Sequence, residues 1–223
     1  MRSETLLRLI QSIPSPRVEL LKRWLAEVGQ ERIEEIEHPD LVLERIRAGY
    51  RAKHREERWI EERIRNGLIR NTLTDEWSER GAREGMEFAI LTNELSKGTF
   101  GLTVQAHRLY KQLPSRENLR DHMSRMELIL CSLSEETAIQ LHQEHESQGF
   151  PALREDAVAA GRTAGGARRV VEQRLGKPVV SSDNFLEPPG SGNPVNQMAH
   201  EQGEVQVEVE ISQPRLFDEL PNG

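Results

Sequence analysis

A chain of 223 residues with a net charge of −7 has room for one or two domains and is not a uniformly basic nucleic-acid binder. Its 36% hydrophobic and 4% aromatic content, against 30% charged residues, predicts a small helical core with part of the chain outside it. A single cysteine, Cys131, excludes an internal disulfide and a cysteine-based metal cluster.

The charge is unevenly placed. Residues 187–223 hold seven acids and one base, a balance of −6, so the rest of the chain carries −1. That near-neutral part can still present basic patches. No run approaches the roughly 18 apolar residues of a membrane helix, and the first residues lack a signal-peptide pattern. No membrane contact is expected, and the expected compartment is the cytoplasm.

Residues 4–13 form a short apolar segment that ends at Ile13-Pro14-Ser15-Pro16. Ser15 can cap the next helix with Pro16 at its first position. That helix is predicted over residues 17–28, with Val18, Leu21, Leu25 and Val28 on one face and Gly29 closing it. A second helix follows Pro39-Asp40 and carries Leu41, Leu43, Ile46 and Tyr50. Residues 51–70 are charge-dense, with Ile60, Ile64 and Leu68 stepping by 4. This reads as a solvated amphipathic helix. An arginine face for phosphates is weakened by the interleaved Glu56, Glu57, Glu61 and Glu62.

A helix continues through Trp77 to a break at Gly81, and another is predicted over 82–97, burying Met86, Ala89 and Ile90. Gly98-Thr99-Phe100-Gly101 reads as the turn that ends it, with Phe100 as a hydrophobic plug. Without a following lysine it does not match a phosphate loop. Thr103 can cap a short helix over 104–110.

The clearest helix signal comes next. Leu119, Met123, Met126, Leu130 and Leu133 step by 4, 3, 4 and 3 on one face, with Ser115 as the expected cap. Cys131 beside that stripe is expected to be a buried, inert thiol. A separate polar helix is predicted over 135–148. It holds His142 and His145, which lack the spacing of a zinc-protease pair and are expected to be solvated. No metal site and no cofactor are predicted. As catalytic candidates, Glu84, Glu87, Glu94, Asp121 and His122 could form a metal-dependent hydrolase site, with Glu87 and Glu94 sharing a helix face.

Residues 151–175 are the second distinctive element. Ala157, Ala160, Gly161, Ala164, Gly165 and Arg168 recur at steps of 3 and 1, leaving one helix face without bulk. Each glycine costs roughly 1 kcal/mol against alanine in a helix, so the run needs a compensating contact. Three readings stand. The face packs closely on the central helix or on a second subunit; or it carries Arg162, Arg168, Arg169 and Lys177 to a nucleic-acid backbone; or the helix is broken. Lys177 to Ser182 reads as a short extended segment. Beyond it, Pro- and Gly-rich residues 188–194 mark a linker to an acidic tail predicted to be disordered, in which residues 204–211 alternate apolar and polar. Leu216-Phe217-Asp218 in that tail has the chemistry of a peptide that docks on a bacterial sliding clamp.

Three strings carry a family resemblance. LTDEWSERGAREGMEFAILTNELSKGTFGLT at residues 73–103, ENLRDHM at 117–123 and GKPVVSSDNFL at 176–186 resemble the C-terminal region of the DNA damage-inducible protein D family. That region also follows BRO-N domains in phage-antirepressor-like proteins. The opening TLLRLIQSIPSPRVELLKRWLAEVG resembles the end of a BRO-N domain. On this resemblance residues 1–16 are the remnant of that domain, 17–186 the family's helical domain and 187–223 a disordered acidic tail. The expected fold is all-α, a multi-helix domain with at most one short extended segment. The resemblance implies a non-enzymatic regulator of the bacterial DNA-damage (SOS) or prophage response, acting on DNA or on a DNA-repair or repressor protein. The alternative is a helical module that works only through protein contacts, as a homodimer or antitoxin-like partner. In the packing role the sequence nominates Gly161, Ala164, Gly165, Leu119, Met123, Met126 and Leu130.

Overall fold

Residues 3–186 are described by the structure, a computed structural model, and they are all-α. Eight α-helices and one 3₁₀ turn follow one another with no strand among the described residues. The expectations for residues 187–223, including the acidic tail and Leu216-Phe217-Asp218, lie outside that range. Among the described residues no helix is long and apolar enough to cross a membrane. The chain divides into two compact units, Met1–Ile60 and Glu61–Gly223.

In the first unit, α1 (Ser3–Ser12) and α3 (Asp40–Ala52) each pack on α2 (Pro16–Glu37). Pro16 occupies the first turn of α2 after an extended Ser15. Gly29 does not end the helix, as its composition suggested. Gln30 to Glu37 are good helix formers and continue it until His38, where the following Pro39 forbids further helical bonding. Glu35 is buried and fastens α2 to α3 by accepting from Arg45, and from Arg32 at 3.0 Å. The Arg45 hydrogen bond, opposed by burial, holds the Glu35 carboxyl below its usual range.

In the second unit, α4 (Glu57–Glu79) contributes Leu73 and Trp77 to a core completed by α5 (Met86–Phe100), α7 (Arg125–Glu144) and α8 (Gly149–Leu175). Leu91 and Leu95 of α5, Ala138 and Ile139 of α7, and Leu153, Ala157 and Ala160 of α8 fill it. The short α6 (Val104–Tyr110) starts where Thr103 accepts from Ala106 N at 3.0 Å.

Three expectations are corrected here. The central helix starts at Arg125, ten residues after the expected cap Ser115. Ser124 and Glu127 form a complete capping box: the Ser124 hydroxyl accepts from Glu127 N at 3.2 Å, and the Glu127 carboxylate accepts from Ser124 N at 2.7 Å. Ser115 has Asn118 at that position and cannot match it, so Leu119–His122 becomes a 3₁₀ turn. Leu119, Met123 and Leu130 are buried, but Met126 and Leu133 point outward at 37% and 39% exposure. The predicted polar helix over 135–148 is the continuation of α7 to Glu144.

In α5 the register is the second correction. Met86 is 77% exposed, and the buried side chains are Leu91, Leu95, Thr99 and Phe100. Gly98 lies inside the helix, while Gly101, at φ +75°, supplies the left-handed residue that ends it. Third, residues 177–182 form no strand. Val179 docks its side chain and its N–H bonds Glu172 Oε1 at 3.0 Å. The fully buried Lys111 ammonium donates to the carbonyls of Ser181 at 2.8 Å and Asp183 at 3.1 Å, and to Glu127.

Candidate functional site

The bare face of α8 is filled by α5. A Cβ on Gly161 would sit 3.0 Å from the carbonyl oxygens of Glu94 and Leu95. One on Gly165 would come within 2.1 Å of Gly98 O, and one on Gly98 within 2.5 Å of Gly161 C. Ala164 is buried with them. Glycine on both helices lets the backbones touch.

The α8 basic residues divide. Arg168 turns inward: its Nε donates to Thr99 O at 2.7 Å, at the end of α5, and its Nη1 to Glu172 at 3.0 Å. Arg168 therefore differs from the rest of the predicted basic set in serving helix packing. Arg162, Arg169 and Lys177 are exposed, and none makes an ion pair among the described residues. Arg162 and Arg169 are seven residues apart, on one line of the helix. Glu155, exposed seven residues earlier, ends the basic run.

A cleft of about 380 Å³ opens between α4, α5, the 3₁₀ turn and α7. Arg120 forks onto Glu135 and also donates to Asn66 Oδ1 at 2.6 Å. Arg70 shares the same carboxylate at 3.5 Å and donates to Thr92 Oγ1 at 2.7 Å. Arg63 pairs with Asp121 at 2.7 Å. Three guanidiniums thus meet two carboxylates, leaving one positive charge over. Burial pushes Arg70 down to about 10, with Glu135 opposing and Arg120 adding to the fall. Burial also opposes the charge on Arg120, but Glu135, Cys131 and Asp121 together raise the value. Both stay protonated at neutral pH.

Thr99, at 0% exposure, lines this cleft, and its hydroxyl has no hydrogen-bond partner among the described residues. Cys131 lies on the same wall, free and buried. Burial pushes its thiol up to about 12, so it is protonated at neutral pH and poorly nucleophilic. At the rim stand Arg108, which bonds the carbonyl of Pro114 at 2.6 Å, and the exposed Arg116.

His142 corrects another expectation. It is fully buried, not solvated. Trp77 Nε1 donates to His142 Nε2 at 3.1 Å, which leaves the ring proton on Nδ1 to donate to Asp156 Oδ2 at 3.0 Å. Asp156 also accepts from Ser147 Oγ at 2.6 Å and from His145 Nδ1 at 2.7 Å. The carboxylates named as catalytic candidates are apart: Glu94 pairs with Arg154, Asp121 with Arg63, and Glu87 accepts from Arg83 N. Glu84 is exposed. His122 is buried, bonded to Glu117 and accepting from Phe185 N at 3.0 Å. Among the described residues no three His, Cys, Asp or Glu side chains are grouped to hold a metal ion.

Comparison with known proteins returned no match, to a family model or to an individual curated sequence. Sequence reasoning missed the cleft and the histidine knot because their members lie far apart in the chain. Trp77 and His142 are 65 residues apart, and Asn66 and Glu135 are 69. The one local signal available was the Ser124–Glu127 pattern of a helix start.

Proposed function

We propose that this chain is a non-enzymatic, cytoplasmic regulator of the bacterial DNA-damage (SOS) or prophage response, acting on DNA or on a DNA-associated protein. The reading rests on the resemblance of residues 73–103, 117–123 and 176–186 to the DNA damage-inducible protein D family. The observation that carries it is the exposed line of Arg162 and Arg169 on α8, beside the face held by α5, with the exposed Lys177 just beyond the helix's end. Cations so placed meet phosphates without first breaking internal bonds. Leu216-Phe217-Asp218 as a sliding-clamp ligand belongs to the same proposal and lies outside the described residues.

The test is duplex and single-stranded DNA binding across a salt series. Arg162→Ala with Arg169→Ala should weaken binding of all sequences alike and lower the slope of log affinity against log salt by about 2. Arg168→Ala should act differently, lowering thermal stability. Unchanged binding by the double variant at every salt concentration rejects the reading.

A second reading, a module that works only through protein contacts, is favoured by a different observation. On α2 the side chains of Leu20, Trp24, Ile33 and Ile36 are each at least half exposed. Leu20 and Trp24, one turn apart on one face, suit a partner helix, including that of a second copy.

A further inference from the structure

We infer that the cleft between α4, α5, the 3₁₀ turn and α7 is a binding site for a small organic phosphate of mononucleotide size. This goes beyond the proposed DNA contact and uses different residues. A positive charge in a partly buried wall calls for an anion, and Arg70 and Arg120 outnumber Glu135 there by one. Arg108 and Arg116 at the rim add two charges against Glu117.

The chemistry selects a phosphate. The fork of Arg120 is already matched to a carboxylate, Glu135. What remains are further guanidinium N–H donors of Arg70 and Arg120, which approach from α4 and from the 3₁₀ turn, and the hydroxyl of Thr99. A phosphate, with three acceptor oxygens pointing in different directions, can accept from such divergent donors at once. The Thr99 hydroxyl, fully buried and unpartnered, is the group a ligand oxygen would satisfy.

Size and lining set the rest of the ligand. About 380 Å³ exceeds what a bare phosphate fills and lies in the range of small-ligand pockets. Leu95, Phe100, Val104, Leu119 and Met123 give the cleft an apolar wall for an organic moiety.

Calorimetric titration of the full chain tests this with the four nucleoside monophosphates, orthophosphate, and a nucleoside without phosphate. Saturable binding is expected for at least one nucleotide, weaker binding for orthophosphate and none for the nucleoside. Thr99→Val, which replaces the unpartnered hydroxyl by a methyl of similar size, should keep the fold and weaken nucleotide binding about tenfold. The Arg162→Ala, Arg169→Ala protein should keep full nucleotide affinity, so this site and the DNA reading fail separately. No saturable heat from any phosphate, equal affinity in the Thr99→Val protein, or displacement of the nucleotide by duplex DNA would each overturn the assignment.

Discussion

His142 shows how much one buried ring can hold. Both nitrogens are engaged, accepting from Trp77 and donating to Asp156, and no lone pair is left for an added proton. Burial pushes its pKa below the ordinary value, with Arg80 assisting, against the raising effect of Asp156 and Glu76. The unfolded ring, at about 6.5, then takes up a proton before the folded one does. The stabilisation is complete above about pH 6.5 and is lost as pH falls through the mildly acidic range. Asp156, held low by Ser147, His142 and His145 despite burial, adds a further loss only below its unfolded value near 3.8. The urea midpoint should fall between about pH 7.5 and pH 5, and His142→Gln should flatten that decline. Identical pH profiles for the two proteins would contradict this account.

At the scale of elements, the contact between α5 and α8 turns on three glycines. Gly98→Ala and Gly165→Ala each drive a methyl into backbone, which cannot rotate away. Each should cost about 3 kcal/mol, a fall in melting temperature of roughly 5–10 °C. Gly166→Ala is the control on the same helix. Its nearest neighbour would be the Arg169 guanidinium at 3.9 Å, so alanine should raise stability by about 0.5–1 kcal/mol. Thermal melts of the three proteins check the contrast. Similar shifts for Gly165→Ala and Gly166→Ala would mean the bare face is only a weak helix and not an interface.

At the scale of the whole molecule, part of the exposed apolar surface among the described residues lies on α2 of the first unit. Leu20 and Trp24 of α2, one turn apart on one face, are 70% and 50% exposed, in a chain with few hydrophobic residues to spare. Self-association through α2 would cover them. Light scattering should then show a concentration-dependent dimer that Leu20→Glu with Trp24→Glu converts to monomer. A wild-type protein that is monomeric at every concentration removes the dimeric form of the second reading. The net charge of −7 does not oppose association strongly, because most of it sits beyond Leu186.

The sequence by itself determined the fold class, the start of α6 at Thr103, the burial of Cys131, and the need of the glycine-alanine run for a covering element. Each is encoded within a few residues, by helical spacing, a capping side chain or the cost of glycine. Only the tertiary structure decided that Gly98 covers that face, that Arg168 is held inside by Thr99 and Glu172, that His142 is buried, and that arginines of α4 and the 3₁₀ turn converge on Glu135. Those partners are separated by many turns of chain. Nothing local encodes such a pairing, because it depends on which helix faces meet once the core has closed.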